Sequence, residues 1–348
     1  MSRVYLDHNA TTPLRAEARD AMLAAMDVVG NPSSVHAEGR AAKMVVERAR
    51  SQVAGLVGCL PTQVVFTGSA TEAAALAVAQ KDRHGGRFAA LPTEHDCFGD
   101  WSEGVPDAMD GPALMAISGA NSETGIMQAD RRVVAGPSVV CDVTQMVGKV
   151  PVEYGDGTPA YMVLSGHKLG GPKGVGALIN FTADDPQAIL RGGGQEMGRR
   201  SGTENVIGIA GFGAAAEAAQ QDVEAGKWGR VEKLRNILES ALAAASNTTI
   251  FVGKDAPRLP NTSCFATPDW KGETQVMQMD LAGFAISAGS ACSSGKVKAS
   301  KVLTAMGLGD VAANAVRVSL GLETTEEDVL RFAEVWAQKL KKHQARAA

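Results

Sequence analysis

The chain has 348 residues, and at roughly 150 residues per domain this length predicts about two domains. Its 34 Lys and Arg against 38 Asp and Glu leave a formal charge of -4, without the basic excess that nucleic-acid binding requires. No stretch reaches the ~20 uncharged apolar residues that cross a bilayer, and the first residues carry no secretory-signal pattern. These features exclude nucleic-acid and membrane partners and predict a cytoplasmic protein.

Apolar periodicity predicts a helical opening that is followed by alternating strands and helices. Two helices are expected, one from Pro13 to Val29 and one over Val35–Val57. A third, Thr71–Ala79, follows the first of several short apolar runs that indicate buried strands: V-V-F-T, R-F-A-A-L, A-L-M-A-I-S, S-V-V-C-D, Y-M-V-L-S and G-A-L-I-N. This order predicts an α/β domain with a mostly parallel sheet covered on both faces.

The later part of the chain predicts a smaller α+β domain from roughly residue 230 onward. Two Ala-rich helices, Val206–Ala225 and Val231–Ala245, precede the apolar runs T-I-F-V and T-S-C-F-A, a helix near Thr274, and A-V-R-V-S-L before a terminal helix. Strands and helices are mixed here rather than alternating, which is typical of an α+β arrangement.

Polar residues that follow buried strands mark a candidate site. His167 and Lys168 come just after a strand that ends at Ser165, where open α/β sheets bind ligands. Lys168 is a natural amine for a Schiff base, and the alternative is a solvated lysine in a Gly-rich loop. Asp142 ends another strand, where it could meet the protonated ring nitrogen of pyridoxal phosphate or cap a following helix.

The stretch F-T-G-S-A-T-E (Phe66–Glu72) predicts a phosphate cup. Its strand, turn and helix place the backbone N–H groups of Ala70 and Thr71, with the Thr71 hydroxyl, at a helix N-terminus. Ser165 and His167 could add donors. Capping of the helix by Ser or Thr alone is the alternative.

The five cysteines are scattered and form no C-x-x-C pair, so neither a disulfide framework nor a metal site is expected. Cys292 lies in S-A-G-S-A-C-S-S-G (Ser287–Gly295), a run of small residues typical of a loop tip. A thiol of lowered pKa there would be a nucleophile, and the alternative is an incidental surface cysteine. The others lie in or beside apolar runs, as core residues do: Cys59, Cys97, Cys141 and Cys264.

Together these motifs resemble one family, the class V pyridoxal-phosphate enzymes of the NifS/IscS cysteine desulfurase type. The resemblance runs almost from end to end. It rests on Y-L-D-H-N-A-T-T-P (Tyr5–Pro13), G-N-P-S-S-V-H-A-E-G-R (Gly30–Arg40), T-E-H (Thr93–His95), N-S-E-T-G (Asn121–Gly125), D-V-T-Q-M-V-G-K (Asp142–Lys149), S-G-H-K, G-G-G-Q-E-M-G-R-R-S-G-T-E-N (Gly192–Asn205), G-S-A-C-S-S and V-R-V-S-L-G (Val316–Gly321).

The resemblance implies the fold of PLP-dependent transferases (aspartate aminotransferase-like), with pyridoxal 5'-phosphate as cofactor and a dimer as the assembly. A large PLP-binding domain would cover residues 13–230, and a small domain carrying the cysteine loop would cover residues 1–12 and 231–348. The implied reaction converts L-cysteine to L-alanine and leaves a persulfide on Cys292. That sulfur would pass to an acceptor such as an iron-sulfur scaffold protein.

The same resemblance gives each candidate residue a role. Lys168 would form the Schiff base and carry the proton, Asp142 would pair with the pyridine nitrogen, and Gln145 would lie near the ring hydroxyl. His95 would stack on the ring as a catalytic residue, Asn121 would contact cofactor and substrate, Arg317 would bind the substrate carboxylate, and Cys292 would accept the sulfur. The phosphate would be bound by Ala70, Thr71, Ser165 and His167, with Thr203 of the neighbouring subunit.

Three features depart from the family pattern, one spacing and two substitutions. About 25 residues separate His95 from Asn121, roughly half the usual spacing. Ser122 replaces the second Asn of N-N-E-x-G, and Met197 replaces the Arg of E-R-G-x-R. These departures leave open a catalytically weakened homologue that acts as a partner subunit. A second alternative keeps the cofactor and changes the substrate: a selenocysteine lyase or other β-eliminating enzyme.

Overall fold

The computed structural model describes residues 3–105, 113–128, 138–152, 157–289 and 299–347. The helices in these ranges are α1 (Ala16–Met26), α2 (Ala37–Val57), α3 (Ala70–Val78), α4 (Asp96–Gly99), α5 (Val206–Glu224), α6 (Trp228–Ala245), α7 (Gly272–Asp280), α8 (Lys301–Ala305), α9 (Gly309–Ala312) and α10 (Glu326–Ala347). The strands are β1 (Val4–Tyr5), β2 (Val64–Thr67), β3 (Phe88–Ala90), β4 (Leu114–Ser118), β5 (Val139–Asp142), β6 (Tyr161–Ser165), β7 (Gly176–Asn180), β8 (Ile250–Phe251), β9 (Thr262–Ala266), β10 (Phe284–Ala285) and β11 (Ala315–Ser319).

The chain divides into two compact units. The large unit comprises Thr11–Gly119 and Gln128–Ala225, and the small unit comprises Met1–Ala10, Ala120–Met127 and Gly226–Ala348. Residues 120–127 thus group with the small unit, although they lie within the range expected for the large domain. Elsewhere the units differ from the predicted domain ranges by a few residues at each junction.

The large unit is built on one sheet. Among its described residues, six strands follow the order β2-β7-β6-β5-β4-β3. β3 to β6 run parallel, and β7 is antiparallel to both of its neighbours, so the predicted mostly parallel sheet is confirmed. Every residue of β2, β3, β6 and β7 is buried. Covering both faces of such apolar strands is favourable because it removes their side chains from water. α3 and α4 pack on one face through Leu76 and Phe98.

Helix α1 begins at Ala16, three residues later than the sequence predicts from Pro13. The reason is that the preceding backbone bonds elsewhere: the N–H of Thr12 donates to His167 O and that of Arg15 to Gly170 O, each at 2.9 Å. Arg15 accordingly has an extended backbone at the N-cap. The short helices α4, α8 and α9 were not predicted, since four or five residues give too little periodicity to detect.

The small unit has its own core. In the described part of this unit, β11, β9 and β8 form an antiparallel sheet, and β1 pairs in parallel with β10. Helices α6 and α10 cover the sheet, and Phe265, Trp270, Phe332 and Trp336 fill the interior. Within the described ranges, no helix is both long and apolar enough to cross a membrane.

Candidate active site

The carboxyl ends of β4, β5 and β6 lie at one edge of the large unit's sheet. Asp142, the last residue of β5, pairs with Val163, two residues before Ser165 at the end of β6. Ser165 pairs with Gly176, the first residue of β7, and Gly176 also pairs with Thr67 at the end of β2. Neighbouring strands lie about 4.8 Å apart, so the predicted residues Asp142 and Ser165 share this edge.

The N-terminus of α3 lies against Gly176. A Cβ atom on Gly176 would stand 2.6 Å from the carbonyl carbon of Ser69 and 2.8 Å from the amide nitrogen of Ala70, so this approach requires glycine. The Ser69 side chain caps the helix. Because the first N–H groups of a helix have no intrahelical acceptor, they can bind an anion. The predicted cup residues Ala70 and Thr71 therefore lie at a helix N-terminus beside the strand partner of Ser165.

Lys168 ends a single 3₁₀ turn, Gly166–Lys168, which follows β6 directly. Thr12 holds this turn at two points. Its N–H donates to His167 O and its hydroxyl donates to Lys168 O, each at 2.9 Å. The backbone that carries the predicted Schiff-base lysine is thus fixed by a residue 156 positions away in the chain.

Arg15 adds a second brace to the same turn. Its Nε donates to Leu169 O at 2.8 Å, and its Nη1 pairs with the Asp222 carboxylate of α5 at 2.6 Å. The sequence analysis assigned no role to Thr12 or Arg15. Thr12 lies in the A-T-T-P motif and Arg15 lies two residues after it, but nothing in their local pattern points to a partner so distant in the chain.

His167 is a neutral imidazole at physiological pH. Its partial burial, with the positive charges of Lys168 and Lys173 adding to the effect, lowers its pKa to about 4. Its Nδ1 lies 3.1 Å from the Thr11 hydroxyl oxygen. A neutral ring offers one N–H, so His167 can give a phosphate oxygen a hydrogen bond but not a full positive charge.

Gln145 lies in the short turn that follows Asp142, the last residue of β5. Asp142 Oδ1 accepts from the Thr144 N–H at 2.9 Å. The Lys149 ammonium donates to Gln145 O at 3.0 Å and to Gln145 Oε1 at 3.4 Å. These bonds orient the buried amide of Gln145 with its oxygen toward Lys149. Lys149 was not predicted as a site residue, although it ends the D-V-T-Q-M-V-G-K motif.

His95 presents an exposed ring beside this edge of the sheet. It caps α4, and its Nδ1 accepts from the Cys97 N–H at 3.1 Å. The preceding residue, Glu94, is buried and accepts a hydrogen bond from the Ser118 hydroxyl at the end of β4. Burial raises the pKa of Glu94 to about 7; the Ser118 hydrogen bond opposes this shift and the negative charge of Asp142 adds to it. Sequence reasoning missed Glu94, which carries no sign of burial in its local pattern.

We expect Glu94→Gln to change how stability depends on pH. The pKa of Glu94 rises from 4.5 to about 7 in the folded protein. As the pH rises, Glu94 therefore loses its proton in the unfolded chain before it does so in the folded protein. The contribution of the protonated Glu94 to the free energy of unfolding is complete below pH 4.5 and is lost as the pH rises to about 7. The loss is on the order of 3 kcal/mol, so the variant should gain stability relative to the wild type between pH 5 and pH 8 in urea unfolding.

The matched control for this experiment is Glu103→Gln. Glu103 is an exposed carboxylate of the same unit, paired with Lys81, and its replacement should leave the pH dependence of unfolding close to that of the wild type. Parallel pH profiles for the wild type and the Glu94 variant would contradict the assignment.

A buried ion pair holds the segment Gln195–Gly198. Glu196 and Met197 have left-handed backbones, with φ of 50° and 58°, which strains residues other than glycine. The Glu196 carboxylate accepts from both terminal nitrogens of Arg50, at 2.7 and 2.8 Å, and from the Phe66 N–H at 2.9 Å. These charge-assisted hydrogen bonds offset the strain. Met197, which replaces the family's Arg, is exposed.

Glu196→Gln is expected to lower the free energy of unfolding by about 3–5 kcal/mol, because it removes the buried counter-charge of the Arg50 guanidinium and leaves only the exposed Glu47 carboxylate as its acidic partner among the described residues. Side chains of this pair are 3% and 2% exposed. Glu47 contacts the same guanidinium at 3.2 Å but is 48% exposed, so Glu47→Gln should cost less than ~1 kcal/mol. Urea unfolding followed by circular dichroism compares the two, and equal losses would refute the argument.

Two further arginines tie this segment to β2 and to the phosphate cup. Arg199 donates to the carbonyls of Thr62 at 2.6 Å and Val64 at 3.2 Å. Arg200 pairs with the Glu72 carboxylate at 2.8 Å, and that carboxylate also accepts from the Gly68 N–H at 2.7 Å. The Arg199 guanidinium therefore braces the backbone around β2.

Thr203 lies on the same stretch of chain. It is exposed and lines a cavity of about 110 Å³ together with Thr67 and Gly68. Its expected contact with the phosphate of a neighbouring subunit stays a prediction.

Arg317 lies in the middle of β11 in the small unit. Its Nη1 donates to Ser122 O at 3.0 Å and its Nη2 to Asp7 Oδ1 at 2.7 Å. Asn121 Oδ1 accepts from the two backbone N–H groups of residues 123 and 124, at 3.0 and 2.9 Å, and so closes a turn. The side-chain oxygen of Asn121 thus accepts from the protein's own backbone. The expected contact of Asn121 with cofactor and substrate stays a prediction.

Cys292 lies outside the described residues. The other four cysteines are free thiols, and two of them, Cys141 and Cys264, are fully buried. Burial raises the pKa of Cys59 and Cys264 to about 12, and it raises that of Cys97 and Cys141 as well. These four thiols are therefore protonated and weakly nucleophilic at neutral pH.

Comparison with known proteins places the chain in a family. The Aminotransferase class-V family matches residues 4–103 and 80–332. A cysteine desulfurase of Cereibacter sphaeroides is 37% identical, covering 96% of this chain and 95% of that protein. The cysteine desulfurase NifS of Azotobacter vinelandii is 34% identical, covering 95% and 91%. The NifS-like protein of Rickettsia africae has a TM-score of 0.86 at 27% identity, covering 99% of both chains. The chain therefore belongs to the class V aminotransferase family, among the cysteine desulfurases of the NifS/IscS type.

Proposed function

We propose that this protein is a pyridoxal-phosphate-dependent cysteine desulfurase that converts L-cysteine to L-alanine and takes the sulfur onto Cys292 as a persulfide. The observation that carries the proposal is the sheet edge of the large unit. Strand register brings Asp142, Ser165 and the Lys168 turn to this edge, and Gly176 brings the N-terminus of α3 to it.

The donors at this edge fit the parts of pyridoxal phosphate. A phosphate would be held by the α3 N-terminus with Thr71, by Ser165, and by the neutral ring of His167. Asp142 would hold a proton on the ring nitrogen, Gln145 would lie near the ring hydroxyl, and the exposed ring of His95 would stack. Thr203 of a neighbouring subunit would complete the phosphate site. The close approach of the Ser69 and Ala70 backbone to Gly176 supports this placement, because it holds the helix N-terminus beside Ser165, the strand partner of Gly176.

When bound, pyridoxal phosphate supplies a carbonyl for the substrate amine and a conjugated ring that accepts electron density from the substrate Cα. Lys168 Nζ would take the proton from Cα and return it later in the reaction. The bracing of its turn by Thr12 and Arg15 favours a single position for this amine. Arg317 would bind the substrate carboxylate.

Sulfur transfer then conserves atoms and electrons. The Cys292 thiolate attacks the substrate sulfur, an S–S bond forms and the Cβ–S bond breaks, and protons from the two thiols and Lys168 complete L-alanine and the persulfide. One cysteine and one enzyme thiol thus give one alanine and one persulfide, with no external oxidant. The raised pKa of the four described thiols supports Cys292 as the acceptor.

The persulfide would pass to an acceptor protein such as an iron-sulfur scaffold, in the cytoplasm, and the enzyme would act as a dimer. Exposed apolar side chains of the large unit support a dimer surface. They lie on α1, after it and on α2: Leu23, Met26, Val29 and Met44. Large apolar side chains that are exposed in one subunit can be covered in a dimer.

Alanine formation from L-cysteine tests the proposal. The protein is supplied with pyridoxal phosphate and excess reductant, and persulfide on Cys292 is measured by mass spectrometry. Alanine together with that persulfide supports a desulfurase. Turnover of selenocysteine without persulfide would favour the lyase, and a protein that forms no alanine would favour the weakened homologue.

A further inference from the structure

Asp7 links two residues of the small unit that belong to different motifs. Its Oδ1 accepts from Arg317 Nη2 at 2.7 Å, and its Oδ2 accepts from the Ser287 hydroxyl at 2.8 Å. Arg317 is the expected receptor of the substrate carboxylate. Ser287 is the first residue of the small-residue run that, five positions later in the sequence, contains Cys292.

The backbones of these three residues are tied together as well. Ser287 and Arg317 exchange both backbone hydrogen bonds, at 2.7 and 3.2 Å. On either side of Asp7, Leu6 O accepts from Ser319 N–H at 2.8 Å, and His8 N–H donates to Ser319 O at 3.2 Å. Asp7 is therefore held beside β11, and its carboxylate reaches Arg317 and Ser287 from a fixed backbone. Such preorganisation keeps a receptor group in one geometry.

The guanidinium of Arg317 has donors beyond those the protein uses. It has five N–H groups. Nη1 donates to Ser122 O and Nη2 to Asp7, while Nε is buried and has no acceptor among the described residues. Arg317 as a whole is 8% exposed. A buried donor without an acceptor is costly, and a carboxylate that binds side-on across Nε and an Nη nitrogen would satisfy it.

We propose that Asp7 is a positioning residue that, with Ser287, orients the guanidinium of Arg317 so that its buried Nε–H has no protein acceptor among the described residues and can donate to the carboxylate of an amino-acid substrate. The proposal rests on the role of Arg317 in the proposed function. Asp7 also offsets the buried charge of Arg317, so the receptor needs no substrate to be stable. Loss of Asp7 frees the guanidinium to turn its Nε edge toward other acceptors.

Binding of two probes to the pyridoxal-phosphate-loaded protein tests this role. The probes are L-alanine and ethylamine, which lacks the carboxylate, and calorimetry measures their dissociation constants. Asp7→Ala is expected to weaken L-alanine binding about 10- to 100-fold, the effect of one charge-assisted hydrogen bond, and to leave ethylamine binding unchanged. Asp7→Asn keeps an acceptor oxygen for Arg317 and should restore binding to within about 3-fold of the wild type.

Two further variants keep the test decisive if Asp7→Ala does not fold. Ser287→Ala leaves the charges intact and should weaken L-alanine binding about 3-fold through the loosened carboxylate. Asp280→Ala removes the acid of an exposed ion pair with Arg3 in the same unit and should change nothing. Equal weakening of both probes would mean a merely structural role and would overturn the proposal, as would wild-type L-alanine affinity in Asp7→Ala and Ser287→Ala. A wild type that binds L-alanine but forms none from L-cysteine would contradict the proposed function alone.

Discussion

Replacement of Cys292 by alanine is expected to reduce alanine formation from L-cysteine on the order of 10³-fold or more, as loss of a catalytic nucleophile does. Without the Cys292 thiolate, no nucleophile accepts the substrate sulfur, so the Cβ–S bond is not broken by sulfur transfer. Alanine is measured by chromatography, with loaded protein and excess reductant. Persulfide should be absent from the variant.

The remaining cysteines provide controls of the same chemical type. Cys97 is half-buried in the large unit and its pKa is raised by burial, so Cys97→Ala should retain activity within a few-fold. Loss of persulfide from Cys97→Ala, or undiminished alanine formation by the Cys292 variant, would move the sulfur acceptor away from the loop and favour elimination chemistry.

Lys168→Ala should abolish turnover even if the cofactor still binds. General acid-base catalysis by a positioned group contributes about 10²- to 10⁴-fold, and loss of the covalent link to the cofactor adds to this. Two measurements are needed: the rate of alanine formation, and the visible absorption of the purified protein, which should shift because the bound cofactor no longer has its lysine partner.

Lys173 is the natural comparison for Lys168. It lies in the same Gly-rich stretch and is exposed, so Lys173→Ala should leave the rate and the spectrum close to those of the wild type. A Lys168→Ala protein with wild-type spectrum and rate would show that this lysine does not react with the cofactor.

Local pattern was enough to predict the sheet and most helices, because a short run of apolar residues can be buried in few ways. Asp142 and Ser165 could be placed on one edge for the same reason: each ends a parallel strand. The motifs of the resemblance then supplied their roles. The predicted helix ends were less accurate where the backbone forms hydrogen bonds with residues far away in the sequence, as at Thr12 and Arg15.

The supporting contacts of the site could not be predicted from local pattern. Asp7 and Arg317 are 310 residues apart, Arg50 and Glu196 are 146 apart, and no periodicity connects them. The burial of Glu94 has the same origin, because its neighbour Ser118 comes from another strand. Such pairs are decided by which strands become adjacent, which is a property of the whole fold.

The bracing of the Lys168 turn has a consequence for synthesis on the ribosome. Thr12 can form its hydrogen bond to Lys168 only after another 156 residues have been synthesised, and Arg15 can pair with Asp222 only after another 207. At about 5–20 residues per second, the first of these waits lasts roughly 8 to 30 s. During that time the chain's opening segment has no native docking place, so the lysine turn is completed only after most of the large unit has emerged. Any ligand site that includes this turn is therefore completed only late in the synthesis of the chain.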